Sequence, residues 1–195
     1  MSDDTFNYNY LFPSLVVYKD FGKVPDDLID LSRDIISEHG GKPFNSPCLS
    51  TVRTYANVLN LKEFTKIKEQ IIQTIAVFCD IHKIEKEELY FVDSWLNSYQ
   101  VHGFQDLHLH PDSLLSGVFY IKSSGEKDFV FQSPYHFYQP ITPKYTETNL
   151  NNCHTSDYNS LEGRCIIFMS NLMHRTLPAT DERISLSFNI KYKNV

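Results

Sequence analysis

Two histidines, His108 and His110, stand one residue apart just ahead of an apolar, strand-like run, Leu114 to Ile121. In extended backbone, residues two apart share a face, so both imidazoles can converge on one point. A third histidine, His174, lies in SNLMHRTLP near the C-terminus, and Arg183 follows nine residues later in ERISLSFNI. A chain carrying this pattern is expected to bring the four residues into one site, on two separate strands of one sheet. Neutral imidazole suits zinc, copper, iron and nickel. Three protein ligands leave coordination positions open, as a catalytic rather than a structural metal requires.

The other segments surround that stretch. Leu11 to Tyr18 is apolar and β-branched and reads as a first strand. Pro25-Asp26-Asp27 opens a helix with Leu28, Ile29, Leu31, Ile35 and Ile36 at helical spacing, and Gly40-Gly41 closes it. Leu61 to Lys83 reads as a second helix, with Leu61, Phe64, Ile67, Ile71, Ile72, Ile75 and Phe78 as its apolar stripe and His82 at a polar, surface end. From residue 88 onward helical periodicity gives way to short β-rich runs: Leu89 to Ser94, Gly117 to Ile121, Phe129 to Phe131, Arg164 to Met169 and Ile184 to Tyr192. Gln132 to Ser160 lacks a period and reads as a long loop with a short strand or two; loops of that length often cover a site. Its Tyr135, His136 and Tyr138 are candidates for contact with a substrate. Helices first and strands afterwards predict an α+β, mainly β fold. One domain over 1–195 is expected, with an N-terminal strand and supporting helices in 1–88 and a β-barrel core in 89–195.

Composition narrows the function classes. With 42% apolar and 14% aromatic residues, the 195 residues can bury a sizeable core. A net charge of −6 without a basic stripe argues against a dedicated nucleic-acid binder. No run approaches the ~18 apolar residues of a membrane span. Cys48, Cys79, Cys153 and Cys165 form no CxxC pair, and the first residues lack a basic leader and an apolar core. A cytoplasmic chain is expected, and a homodimer is compatible with it.

Arg183 and Ser185 also share a face if their segment is a strand. A buried arginine needs an anionic partner, and its planar fork binds a carboxylate in two places. The pair therefore reads as a carboxylate socket close to the metal. The alternative is an internal partner such as Asp181, Glu182 or Asp128.

These pieces resemble a known family. Leu11-Phe12-Pro13, Trp95 with Asn97, the His108 to Pro111 segment with Ser113, Ser116-Gly117-Val118 and Tyr120, Gly163 with Phe168, Ser170 and His174, and Arg183, Ser185, Phe188 and Asn189 together look like the 2-oxoglutarate- and iron(II)-dependent oxygenases. More narrowly, the chain is similar to a group of short oxygenase-like proteins of bacteria and their phages. The resemblance implies a double-stranded β-helix, the jelly roll of that superfamily. It implies iron(II) at His108, His110 and His174, and 2-oxoglutarate held by Arg183 and Ser185, with Asn97 and Tyr120 as further contacts. It also implies O2 as oxidant, succinate and carbon dioxide as products, and a small-molecule or peptide substrate. Most of the superfamily carries HxD…H; here His110 takes the acidic position, and Asp112 offers an alternative His110-Pro111-Asp112 reading. Ser133-Pro134-Tyr135 stands where the family often has D-P-R. Two rivals remain at this point: a cupin, which usually adds a glutamate where this chain has Ser113 to Ser116, and a barrel that binds metal or ligand without turnover.

Overall fold

The computed structural model describes residues 11–42, 46–123, 125–135, 141 and 143–193. Strand β1 (Val16–Asp20) leads into helix α1 (Asp26–His39). After a two-residue strand β2 (Leu49–Ser50) and two single 3-10 turns comes helix α2 (Thr65–His82). The rest is β: β3 (Leu89–Tyr99), β4 (Gln105–His108), β5 (Leu115–Lys122), β6 (Lys127–Gln132), β7 (Thr155–Asn159), β8 (Arg164–Met169), β9 (His174–Thr176) and β10 (Arg183–Tyr192).

The strands form two antiparallel sheets, ordered β1-β8-β5-β10-β3-β2 and β4-β9-β6-β7. The larger sheet has two unlike faces because side chains alternate along its strands, despite register shifts at both ends of β10. On β10, Ile184, Leu186, Phe188 and Ile190 point one way into a core shared with Ile67, Ile71 and Phe78 of α2 and Ile29, Ile35 and Ile36 of α1. Arg183, Ser185, Ser187 and Asn189 point the other way, towards the smaller sheet. Between the sheets, Val118, Tyr120, Ile166 and Phe168 meet Phe129 and Phe131 of β6 in a second apolar cluster. This is the expected jelly-roll layering of two sheets, though the sheets do not close into a continuous barrel.

The helices differ from expectation mainly at their edges. α1 starts at Pro25 as cap, whose fixed φ suits a helix start, with Asp26 and Asp27 in the first turn, and Gly40 terminates it. α2 begins four residues later than Leu61, after the turn Lys62–Phe64, and ends where Lys83 adopts a left-handed conformation (φ 58°). Ile72 is 48% exposed and leaves the stripe, because Ile71 already occupies that level of the core. β1 starts at Val16 rather than Leu11; Leu11 and Phe12 are exposed and unpaired with any strand. Within Gln132 to Ser160, Thr155–Asn159 forms an edge strand on β6. His136 and Tyr138 lie outside the described residues.

Candidate metal and cosubstrate site

His108 is the last residue of β4 and pairs directly with His174, the first residue of β9. His110 lies beyond the end of β4, in the turn towards β5, with its backbone N–H on the Ser170 carbonyl at 2.9 Å. The two residues of the HxH pair therefore do not sit side by side on one strand. The strand ends at His108, and the turn brings His110 round to the same point. Ring centroids lie 4.3 Å apart for His108 and His174, 5.2 Å for His108 and His110, and 5.3 Å for His110 and His174. One ring nitrogen of each falls within 4.8 Å of the other two. Asp112 is exposed and stands outside this group.

The ring tautomers follow from their partners. His108 Nδ1 contacts the Asp106 carbonyl at 2.7 Å, and His174 Nδ1 contacts the Leu172 carbonyl at 2.9 Å. A carbonyl only accepts, so each Nδ1 carries the proton and each Nε2 presents a lone pair. Burial disfavours the imidazolium form in all three rings. It depresses His108, takes His110 down to about 4 with help from neighbouring His108, and depresses His174 well below the ordinary histidine value. Three neutral imidazoles with two lone pairs oriented by backbone acceptors suit a divalent transition metal. Trp95 lies 5.9 Å from the His110 ring and Phe168 meets His174 edge-on at 4.6 Å, forming an apolar collar.

The histidines open into a cavity of about 350 Å3 between the sheets. Arg183, Ser185, Asn97 and Tyr120 all line it, as do Tyr99 and Trp95. The expectation of one sheet is corrected here: the metal-type ligands come from the β4–β9 end of the smaller sheet, and Arg183 and Ser185 from β10 of the larger. The cavity is the space between them. Asn97 donates to Ser187 Oγ at 3.1 Å, which ties β3 to β10 across the cavity floor.

Arg183 has an internal partner, Asp128 of β6, through Nη1 and Oδ2, and both side chains are buried. Of the acids weighed from the sequence, Asp128 is the one; Glu182 instead joins Arg33 of α1 and Lys122 of β5. The Arg183 guanidinium also lies 4.4 Å above the Tyr99 ring, and Nη2 reaches the Leu177 carbonyl at 3.3 Å. Arg183 Nε and the Tyr120 hydroxyl remain buried without a hydrogen-bond partner among the described residues. Burial raises the Tyr120 phenol pKa, so that hydroxyl stays protonated. Two orphaned donors in one cavity suit an anionic oxygen, and a carboxylate of 2-oxoglutarate fits that donor set.

Ser116, Ser170 and Asn189, named from the sequence only as parts of the family pattern, form a buried chain beside the cavity. Ser116 Oγ donates to Asn189 Oδ1 at 2.7 Å and contacts Ser170 Oγ at 2.7 Å, and Asn189 stands opposite Asp93 of β3. Asn189 shares the period-2 face of Arg183 and Ser185, which is why it turns towards the cavity.

Comparisons with known proteins agree with this geometry. Residues 93–189 match a family described as "Putative 2OG-Fe(II) oxygenase". The chain belongs to the 2-oxoglutarate- and iron(II)-dependent oxygenases. No curated protein matches it. Among solved structures it is similar to a Pseudomonas putida prolyl-4-hydroxylase, with 14% identity, TM-score 0.65, and coverage of 93% of this chain and 94% of that one. It is also similar to HygX from Streptomyces hygroscopicus with nickel and 2-oxoglutarate bound, with 11% identity, TM-score 0.61, and coverage of 93% and 84%. A third is the viral collagen prolyl hydroxylase of Paramecium bursaria Chlorella virus-1, with 14% identity, TM-score 0.54, and coverage of 90% and 96%. At these identities the likeness is one of fold. As an oxygenase of this family the chain is an enzyme that uses iron(II), 2-oxoglutarate and O2.

Proposed function

We propose that the cavity between the sheets is the oxygenase active site, with His108, His110 and His174 holding iron(II) and Arg183 and Ser185 receiving the distal carboxylate of 2-oxoglutarate. The observation that carries this reading is the convergence of three neutral imidazoles at one end of a cavity whose far wall presents unpartnered Arg183 and Tyr120 donors. When bound, iron(II) and 2-oxoglutarate supply the redox chemistry: O2 gives one oxygen atom to a substrate C–H and one to succinate, with release of carbon dioxide. The chain's own residues position and enclose. The Asp106 and Leu172 carbonyls hold two rings in the ligating tautomer, and Trp95, Phe168 and Phe129 keep water from the metal end. Tyr120 and Asn97 flank the cosubstrate, and Ser185 adds a hydroxyl beside Arg183.

The substrate is a small molecule or a peptide, since the acidic surface disfavours nucleic acid. No described helix is long and apolar enough to cross a membrane. All four cysteines are free thiols, which supports the cytoplasm as the compartment.

Adding iron(II) and 2-oxoglutarate without oxygen tests the site. A visible metal-to-ligand absorption band is expected, and Arg183→Ala should abolish it at the same concentrations. A cupin would ignore 2-oxoglutarate. A non-catalytic barrel would show the band yet release no succinate once oxygen is admitted.

A further inference from the structure

Arg183 reaches the cavity already joined to a carboxylate, and that contact is only half made. Asp128 uses Oδ2 alone; its Oδ1 and the Arg183 Nε have no hydrogen-bond partner among the described residues. A closed, bidentate fork would have satisfied both. Asp128 is held in place from elsewhere: it precedes Phe129 in β6, and its carbonyl accepts the Leu177 N–H at 2.7 Å. Leu177 is also the residue whose carbonyl meets Arg183 Nη2. Arg183 is thus gripped on its Nη side by β6 and the β9 end, while its Nε edge is left for the cavity.

The three metal-ligating candidates are neutral imidazoles, so no carboxylate sits among them. The usual iron(II) oxygenase triad places one carboxylate on the metal. In this chain an acid of the smaller sheet, Asp128 of β6, pairs with the arginine and offsets its charge. An ion pair attracts an incoming anion far less than an isolated cation does, because its field falls off as that of a dipole.

We propose that Asp128 is a specificity-determining residue for the cosubstrate: it offsets the charge of Arg183, so that the site discriminates only weakly between 2-oxoglutarate and a 2-oxo acid with an uncharged tail. The inference rests on Arg183 as the anchor of the distal carboxylate. The consequence is a cosubstrate pocket that selects its ligand chiefly by the 2-oxo acid end at the metal and by hydrogen bonds from Arg183 Nε and Tyr120, and less by net charge.

Calorimetric binding of 2-oxoglutarate and of 2-oxopentanoate, the five-carbon 2-oxo acid ending in a methyl group, to the manganese(II)-loaded chain tests it without turnover. The wild-type chain should prefer 2-oxoglutarate by less than about tenfold, which is under ~1.4 kcal/mol. Asp128→Asn keeps the shape and removes the charge; it should raise the preference by about tenfold or more through tighter 2-oxoglutarate binding. Asp128→Glu keeps the charge and should stay near the wild-type ratio. A wild-type preference beyond a hundredfold overturns the proposal even if neither variant folds, and so does weaker or unchanged 2-oxoglutarate binding by a folded Asp128→Asn chain. Arg183→Ala separates this from the underlying reading. If it leaves 2-oxoglutarate affinity intact, Arg183 is not the anchor and the assignment of the carboxylate socket fails first.

Discussion

At the level of single residues, the Nδ1–carbonyl contacts of His108 and His174 fix which nitrogen can ligate. Removing a ring removes a lone pair and leaves a buried carbonyl unsatisfied. His174→Ala should therefore lose bound iron, read by metal analysis after gel filtration, and lose about 1–3 kcal/mol of stability. Retention of stoichiometric iron by that variant would remove His174 from the ligand set. The depressed histidine pKa values also give a pH dependence. These groups stay neutral in the folded chain but take protons near 6.5 when unfolded. Protonation thus favours the unfolded state, so stability is complete above about pH 6.5 and declines as pH falls towards about 4, the value of His110. Metal-free protein melted across that window should show the decline. A flat profile from 6.5 to 4 would contradict it. Replacing His110 by Gln should flatten part of the slope.

At the level of elements, β10 decides the site. It pairs with both β3 and β5 at the centre of the larger sheet, and its alternation puts a polar row on the cavity and an apolar row on the helices. Its register depends on close packing at Gly117 of β5, opposite Phe188. A Cβ at position 117 would run into the Phe188 ring and the Ile166 carbonyl. Gly117→Ala should cost about 1–3 kcal/mol, since neither the strand backbone nor a fully buried ring can yield easily. Denaturant unfolding measures it, and a variant as stable as the parent would show that the strands can spread. The β10 entrance is fixed by Glu182, whose carboxyl is held down to about 2 by its hydrogen bonds to Arg33 and then Lys122. Its contribution is present above the ordinary glutamate value and disappears as pH falls from about 4.5 to about 2. Glu182→Gln should remove that component of acid sensitivity, with little change in the 6.5-to-4 window assigned to the histidines.

At the level of the whole molecule, the cavity belongs to neither sheet. The end of the smaller sheet brings the histidines, and the larger sheet brings Arg183, Ser185 and Tyr120. Metal binding should then stabilise the association of both sheets, by about 2.7 kcal/mol at a hundredfold excess over Kd. Trp95 is the chain's single tryptophan and lies beside His110, so its fluorescence reports the cavity. Fluorescence and far-UV circular dichroism should follow one transition, shifted together by manganese(II). Loss of the tryptophan signal well before the secondary structure would mean that the sheets separate independently.

The periodicities in the sequence determined the two helices, most strands and the shared side of Arg183 and Ser185, because spacing of 3.6 or 2 says directly which residues share a side; the jelly-roll class came from the family resemblance. The residue types of His108, His110, His174 and Arg183 pointed to a metal and a carboxylate, the reading that the proposed function takes up. Only tertiary structure decided three matters. His110 stands in a turn rather than on a strand, the candidate site is shared between two sheets rather than built on one, and Asp128 is the acid that meets Arg183. Each depends on which distant segments come to lie opposite one another across the cavity. Side-chain period within a segment carries no information about that, because the pairing of facing sheets is set by how the whole core closes.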